Sequence, residues 1–309
     1  MNRFWVAAAG FLALSTAATA QMPPDIAAEI RAAGQSLDPS LFGPLYASSF
    51  PPAAWTGVTI ERDIAYGADP LQKLDVYVAE ARGPKVPVVL FVHGGGFIRG
   101  DKHGAFSPDN MTLWAARQGM VGVNINYRLA PDSPWPAGAQ DLASAIAWTR
   151  ANIARYGGDP DRIILWGHSA GANHVADYVG HRGVQGAEAG AVRGAILLSP
   201  NYPLAAEAGQ EHAYYGPDRN LNSTDATIER LRASSIPLFL ADAEFDPDPM
   251  LATARELREG LCQVAARCPR YVHLQDHNHY TEGLAVGTDD QSLTGPLMEW
   301  IADSLGKRD

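Results

Sequence analysis

Cysteine is scarce: the 309 residues hold two, Cys262 and Cys268. A fold stapled by many disulfides is excluded, and a metal-binding role for the pair would need further soft ligands that the sequence does not supply. Clusters of lysine and arginine are also missing from a chain of formal charge −10. Binding to DNA or RNA needs such clusters, so polyanionic partners are disfavoured. Beyond residue 20 no apolar run is long enough to span a bilayer, and no internal repeat or low-complexity linker occurs. What remains is an ordinary globular composition, 46% hydrophobic and 19% charged, and the simplest organisation is one α/β domain carrying a small cap.

The first twenty residues stand apart. Arg3, an apolar run from Phe4 to Leu14 and the small residues Ala18-Thr19-Ala20 form the pattern of a secretory signal peptide, cleaved near Ala20. Its loss would take the formal charge from −10 to −11, since it holds one arginine and no acid. The expectation is an exported protein whose domain spans residues 21–309. In an oxidising compartment Cys262 and Cys268 are expected to pair, closing a short loop that stabilises by about 2 to 3 kcal/mol.

Buried strands are legible as short β-branched runs. VPVVLFVH at Val86 to His93, MVGVNINY at Met120 to Tyr127, RIILWG at Arg162 to Gly167, RGAILLS at Arg193 to Ser199, IPLFLAD at Ile236 to Asp242 and RYVHL at Arg270 to Leu274 suit strands covered on both faces. Helical patterns lie between them, the clearest from Gln140 to Tyr156, stopped by Gly157-Gly158. Such alternation predicts a mostly parallel sheet with helices on both faces. Val58 to Tyr66 and Lys73 to Ala79 alternate like half-exposed strands and predict an antiparallel edge. Residues 22–55 and 201–235 break the alternation and are read as cap elements, with Trp55, Tyr214 and Tyr215 selecting groups of the substrate by apolar contact.

The strand RIILWG runs into Gly167-His168-Ser169-Ala170-Gly171, and a helix can follow. A serine at a sharp strand-to-helix turn presents its hydroxyl at the end of the sheet, and flanking glycines let the chain fold back tightly. Upstream, His93-Gly94-Gly95-Gly96-Phe97 ends another strand. There the backbone NH groups of Gly95 and Gly96, with that of Ala170, are placed to hold the oxyanion of a tetrahedral intermediate, each donor contributing about 3 to 4 kcal/mol.

A serine nucleophile needs a base, and the base an acid, in the chain order serine, acid, histidine. After IPLFLAD come Glu244, Asp246 and Asp248; Asp246 is preferred because it sits in the loop before the next helix, with Glu244 and Asp242, the last residue of that run, as alternatives. After RYVHL come His277 and His279. His279 is preferred because it lies farther from the strand in a loop that can swing over Ser169; His277 is the alternative. A metal held by His277-x-His279 lacks further ligands at suitable spacing. His93 and His168 are expected to pack and hydrogen-bond rather than act as bases.

With these residues in hand, the chain resembles the α/β-hydrolase-fold esterases of the hormone-sensitive-lipase type from about Val58 onward. Besides HGGGF and GHSAG, the resemblance rests on Asn126-Tyr127-Arg128-Leu129-Ala130-Pro131, the Asp141 to Trp148 helix, Gly158-Asp159-Pro160-Asp161-Arg162 and Glu244-Phe245-Asp246-Pro247. It implies Ser169 as nucleophile, Asp246 as acid, His279 as base, and hydrolysis of short-acyl or aryl esters without metal or organic cofactor. Two features depart from it: GHSAG stands where many members have GDSAG, and HNHY is similar to feruloyl-esterase-like and arylformamidase-like relatives. The rival readings are an amidase or arylformamidase of the same fold and an inactive binding protein. The expected partner is a small ester, and the expected form a monomer or homodimer.

Overall fold

The computed structural model describes residues 22–49, 56–103, 109–202, 212–218, 221 and 223–306. The leader, Trp55 and parts of the 201–235 segment lie outside them. Eight strands form one sheet in the order β1-β2-β4-β3-β5-β6-β7-β8. They are β1 (Val58–Ala65), β2 (Lys73–Ala79), β3 (Val86–Val92), β4 (Val121–Ile125), β5 (Gly158–His168), β6 (Val192–Leu198), β7 (Leu238–Phe245) and β8 (Arg270–Asn278). β1 and β2 form the antiparallel edge and β4 to β8 pair in parallel with β3 among them, so every strand read from the sequence is present.

The helices are α1 (Pro24–Ala33), α2 (Asp109–Arg117), α3 (Ala137–Asn152), α4 (Ala170–Gly180), α5 (Thr224–Arg232), α6 (Asp248–Cys262) and α7 (Thr294–Gly306), with shorter turns between. The helix expected from Gln140 starts at Ala137 and ends at Asn152; Ile153–Tyr156 is a 3₁₀ turn closed by Gly157. Alternate residues of the parallel strands face opposite sides. Val88, Leu90, Ile163 and Leu165 pack with α3 to α6, while Val89, Phe91, Ile164 and Trp166 pack with α2 and α7. Covering both faces is why these strands read as continuous apolar runs.

Two expectations change. β8 continues past Leu274 to Asn278, held by a bulge in which Asp276 takes φ 61° and its NH donates to Glu244 Oε2 over 2.8 Å. His279 therefore follows a strand end directly rather than riding a free loop. Tyr214 and Tyr215, read as substrate-selecting residues, are buried with Tyr202 against Phe97.

Candidate active site

In a parallel sheet the strand ends converge on one edge, where ligands bind between diverging loops. Here β3 delivers the glycine loop, β5 delivers Ser169, β7 delivers Asp246 and β8 delivers His279. Ser169 caps α4 with φ 55° and ψ −125°, a strained conformation for a residue with a Cβ. Its NH donates to the Leu198 carbonyl over 2.9 Å, tying the turn to β6. The turn is possible because residue 171 is glycine: a Cβ there would lie 2.1 Å from the Val92 carbonyl oxygen. In the glycine loop, Gly95 has φ 126°, and its Cβ position falls 2.0 Å from the Arg99 oxygen.

Ser169, His279 and Gly94 to Gly96 line one cavity of about 710 Å³. Leu37, Pro39, Phe91, Met111 and Met250 supply apolar wall, and Asp38, Arg99 and Tyr280 supply polar groups. The N-terminal segment is fastened to this edge: Gln35 Nε2 donates to the Asp246 carbonyl over 2.9 Å, and the Tyr280 hydroxyl donates to the Leu37 carbonyl over 3.0 Å. Residues 37–39 of the region read as cap thus wall the cavity. Ala170 is the first residue of α4, so its NH has no intrahelical acceptor.

His279 Nδ1 stands 2.9 Å from Asp246 Oδ1, both groups buried. Asp246 Oδ2 accepts from the Ala243 NH over 2.9 Å and from the Ser199 hydroxyl over 2.6 Å. Burial alone would raise the Asp246 carboxyl, but the His279 hydrogen bond and charge, with the Ala243 and Ser199 donors, hold it below the ordinary carboxylate range. A carboxylate only accepts, so Nδ1 carries a hydrogen, and in the neutral ring Nε2 is the nitrogen with the lone pair.

The other candidates are placed elsewhere. Asp242 faces Tyr271 and His273, Glu244 pins the β8 bulge, and Asp248 receives Gln35. His277 turns to Asp290 at 3.1 Å, so it and His279 do not converge on a common ligand. His93 stacks on Tyr127 with ring centroids 4.4 Å apart, in line with a packing role. The Cys262 and Cys268 sulfurs lie 1.96 Å apart, at the end of α6 and before β8.

Sequence reasoning missed Ser199 and Glu282. Glu282 is fully buried beside the Asp246–His279 pair, in the helical turn Thr281–Leu284, and Ser199 directly follows β6 with φ 46°. No motif marks either residue; the one signal was their proximity to a strand end and to His279. Ligand atoms of His168, His279 and Glu282 lie within 4.8 Å of one another. His168 Nε2 and His279 Nδ1 are already committed to hydrogen bonds, with the His279 carbonyl and with Asp246.

Residues 74–189 match the family model described as BD-FAE. The chain is 30% identical over 268 residues to the esterase LipQ of Mycobacterium tuberculosis (strain ATCC 25618 / H37Rv), covering 80% of this chain and 63% of that protein. It is 40% identical over 113 residues to the esterase LipC of the same organism, 36% of this chain and 28% of that protein. The chain therefore spans only part of the curated relatives it matches. Among solved structures, a bacterial heroin esterase superposes with TM-score 0.63 at 22% identity, over 94% of this chain and 99% of that one. A truncated carbohydrate esterase from gut microbiota superposes with TM-score 0.65 at 14% identity, over 81% and 97%. At these identities the structural likeness is one of fold.

Proposed function

We propose that the chain is an esterase of α/β-hydrolase fold, similar to the hormone-sensitive-lipase-like carboxylesterases, and that it hydrolyses short-acyl or aryl esters through an acyl-enzyme on Ser169. The observation that carries this reading is the buried 2.9 Å contact of His279 Nδ1 with Asp246, in a protein whose His279 and strained Ser169 line one cavity.

Ser169 Oγ attacks the ester carbonyl while His279 Nε2 takes the hydroxyl proton. The tetrahedral oxyanion is held by the NH groups of Gly95, Gly96 and Ala170. Collapse breaks the ester C–O bond, and His279 returns the proton to the departing alcohol. Water, deprotonated by His279, then attacks the acyl-enzyme; the acid leaves and Ser169 is regenerated. Asp246 fixes the imidazole tautomer and supports its charged form without itself being protonated. Apolar walls from Leu37, Pro39, Phe91, Met111 and Met250 suit an acyl or aryl group. The same reading includes export after removal of Met1 to Ala20 and a Cys262–Cys268 disulfide, which the sulfur separation supports.

A panel of p-nitrophenyl esters from acetate to palmitate, beside a matched aryl amide, tests it. Turnover of short esters that vanishes in Ser169→Ala, with the fold intact, is the expected result. Activity persisting in that variant, or an amide preferred over its ester, would overturn the reading.

A further inference from the structure

The mechanism above leaves unused a buried acid that stands beside the Asp246–His279 pair. Glu282 Oε2 lies 2.8 Å from Ser199 Oγ, and the same Oγ lies 2.6 Å from Asp246 Oδ2. The other Glu282 oxygen, Oε1, stands 3.1 Å from His168 Nε2 and 4.0 Å from His279 Nδ1. Ser199 is turned into this position by φ 46°, in the left-handed region that side chains disfavour, and its NH is anchored on the Ala241 carbonyl over 2.9 Å.

A serine hydroxyl has one hydrogen to give. Set between two ionised carboxylates, it could donate to one only, and the other oxygen would face its lone pairs in a site closed to water. Such an arrangement is costly in a low-dielectric interior. One further proton on Glu282 resolves the conflict. Glu282 Oε2–H then donates to Ser199 Oγ and Ser199 donates to Asp246 Oδ2, while Glu282 Oε1 lies beside His168 Nε2, whose hydrogen goes to the His279 carbonyl.

We propose that Glu282 is a positioning residue that carries a proton and, through Ser199, directs a hydrogen bond onto Asp246 without placing a second negative charge beside it. The proposal rests on the reading of Ser169, His279 and Asp246 as a triad. The groups facing Glu282 agree with it. Burial raises its carboxyl well above the ordinary range, the charges of Asp246 and Asp242 at the β7 end push it the same way, and the Ser199 hydrogen bond opposes them only in part. His168, at the end of β5, supplies no cation, because burial lowers its pKa to about 3. An ionised Glu282 would also compete with Asp246 for the His279 imidazole.

Two substitutions separate proton from charge. In Glu282→Gln the amide nitrogen can donate to Ser199, so the pattern survives without a titratable group. In Glu282→Met the donor is gone. With p-nitrophenyl acetate across the working pH range, Glu282→Gln is expected to keep kcat within about threefold of the unaltered protein, and Glu282→Met to lose roughly tenfold or more in kcat with KM little moved. Infrared spectra at neutral pH read the proton directly: the protonated-carboxyl absorption, to which Asp177 contributes in both proteins, should be larger in the unaltered protein than in Glu282→Gln by one carboxyl. The proposal is overturned if that band does not differ, if Glu282→Gln loses as much as Glu282→Met, or if Glu282→Met loses nothing. Should Glu282→Met fail to fold, the glutamine variant and the infrared band decide. An active Ser169→Ala would sink the triad reading alone, since the band still reports whether Glu282 is protonated.

Discussion

His168 Nε2 stands 2.9 Å from the backbone carbonyl oxygen of His279, so the residue before Ser169 holds the residue that follows β8. A carbonyl only accepts, which assigns the hydrogen of His168 to Nε2. Burial keeps that ring neutral with its pKa lowered to about 3, so the donor persists across the working pH range. His168→Ala should therefore lower kcat by roughly tenfold, the worth of one lost buried hydrogen bond, with a smaller effect on KM. Steady-state kinetics beside a melting curve check this; a change confined to Tm would leave His168 with packing alone.

His277 and His279 are two residues apart and face different acids. His277 pairs with Asp290 at 3.1 Å, and His279 with Asp246 at 2.9 Å. His279→Ala is expected to cost about ten-thousand-fold in kcat. His277→Ala is expected to leave kcat within a few-fold while destabilising the fold by about 1 to 3 kcal/mol, because Asp290 loses one buried partner and keeps only its Ser292 donors. Denaturant unfolding and ester turnover of both variants separate the roles. A dead His277→Ala with an intact fold would reverse the assignment.

The sheet was legible because burial on two faces forces β-branched runs, and the glycine loop and Ser169 were legible because backbone geometry restricts which residues fit. Asp246 and His279 were picked out by their distances past the expected strand ends, although β8 runs directly up to His279. Ser199 and Glu282 carry no such mark. Their meaning depends on three strand ends meeting, with Ser199 from β6, Asp246 from β7 and Glu282 beyond β8. Tyr214 and Tyr215 were misread for a related reason. A polar, tyrosine-containing insertion looks the same in sequence whether its rings face a ligand or pack behind a loop, and here Tyr214 stacks on Phe97 with centroids 4.9 Å apart. The reach of β8 to Asn278 was hidden by the bulge at Asp276, which interrupts the alternation.

Asp177 on α4 receives the Tyr215 hydroxyl over 2.6 Å in a fully enclosed setting. Burial raises its pKa from 3.8 to about 7, against the Tyr215 hydrogen bond and the charge of Arg230. A raised carboxyl favours the protonated form in the folded state. Its contribution to stability is then fully present below the unfolded value near 3.8 and is lost as pH rises through about 7. Asp177→Asn should be stabilising relative to the unaltered protein by an amount that grows across that window and levels off above it, reaching on the order of a few kcal/mol. Melting curves of both proteins at matched pH values measure the difference; a difference flat with pH would show that Asp177 titrates normally.

Gly171 offers the sharpest test of how the turn at Ser169 is built. A Cβ at this position would lie 2.1 Å from the Val92 oxygen and 2.6 Å from the His93 oxygen, both backbone atoms of the β3 end. No rotamer can relieve such a contact, so α4 must move away from the sheet and carry Ser169 and Ala170 with it. Gly171→Ala should destabilise by about 1 to 3 kcal/mol through overpacking and lower kcat by far more than that loss of stability explains, because a 1 Å misplacement of reacting groups can cost about a hundredfold. Gly183→Ala is the control: that glycine is exposed, its Cβ position has nothing within 4 Å, and its effect should stay within about 0.5 kcal/mol. If Gly171→Ala matched Gly183→Ala in both Tm and kcat, α4 could not be seated on the β3 end as described, and the placement of the Ala170 NH for an oxyanion would fall with it.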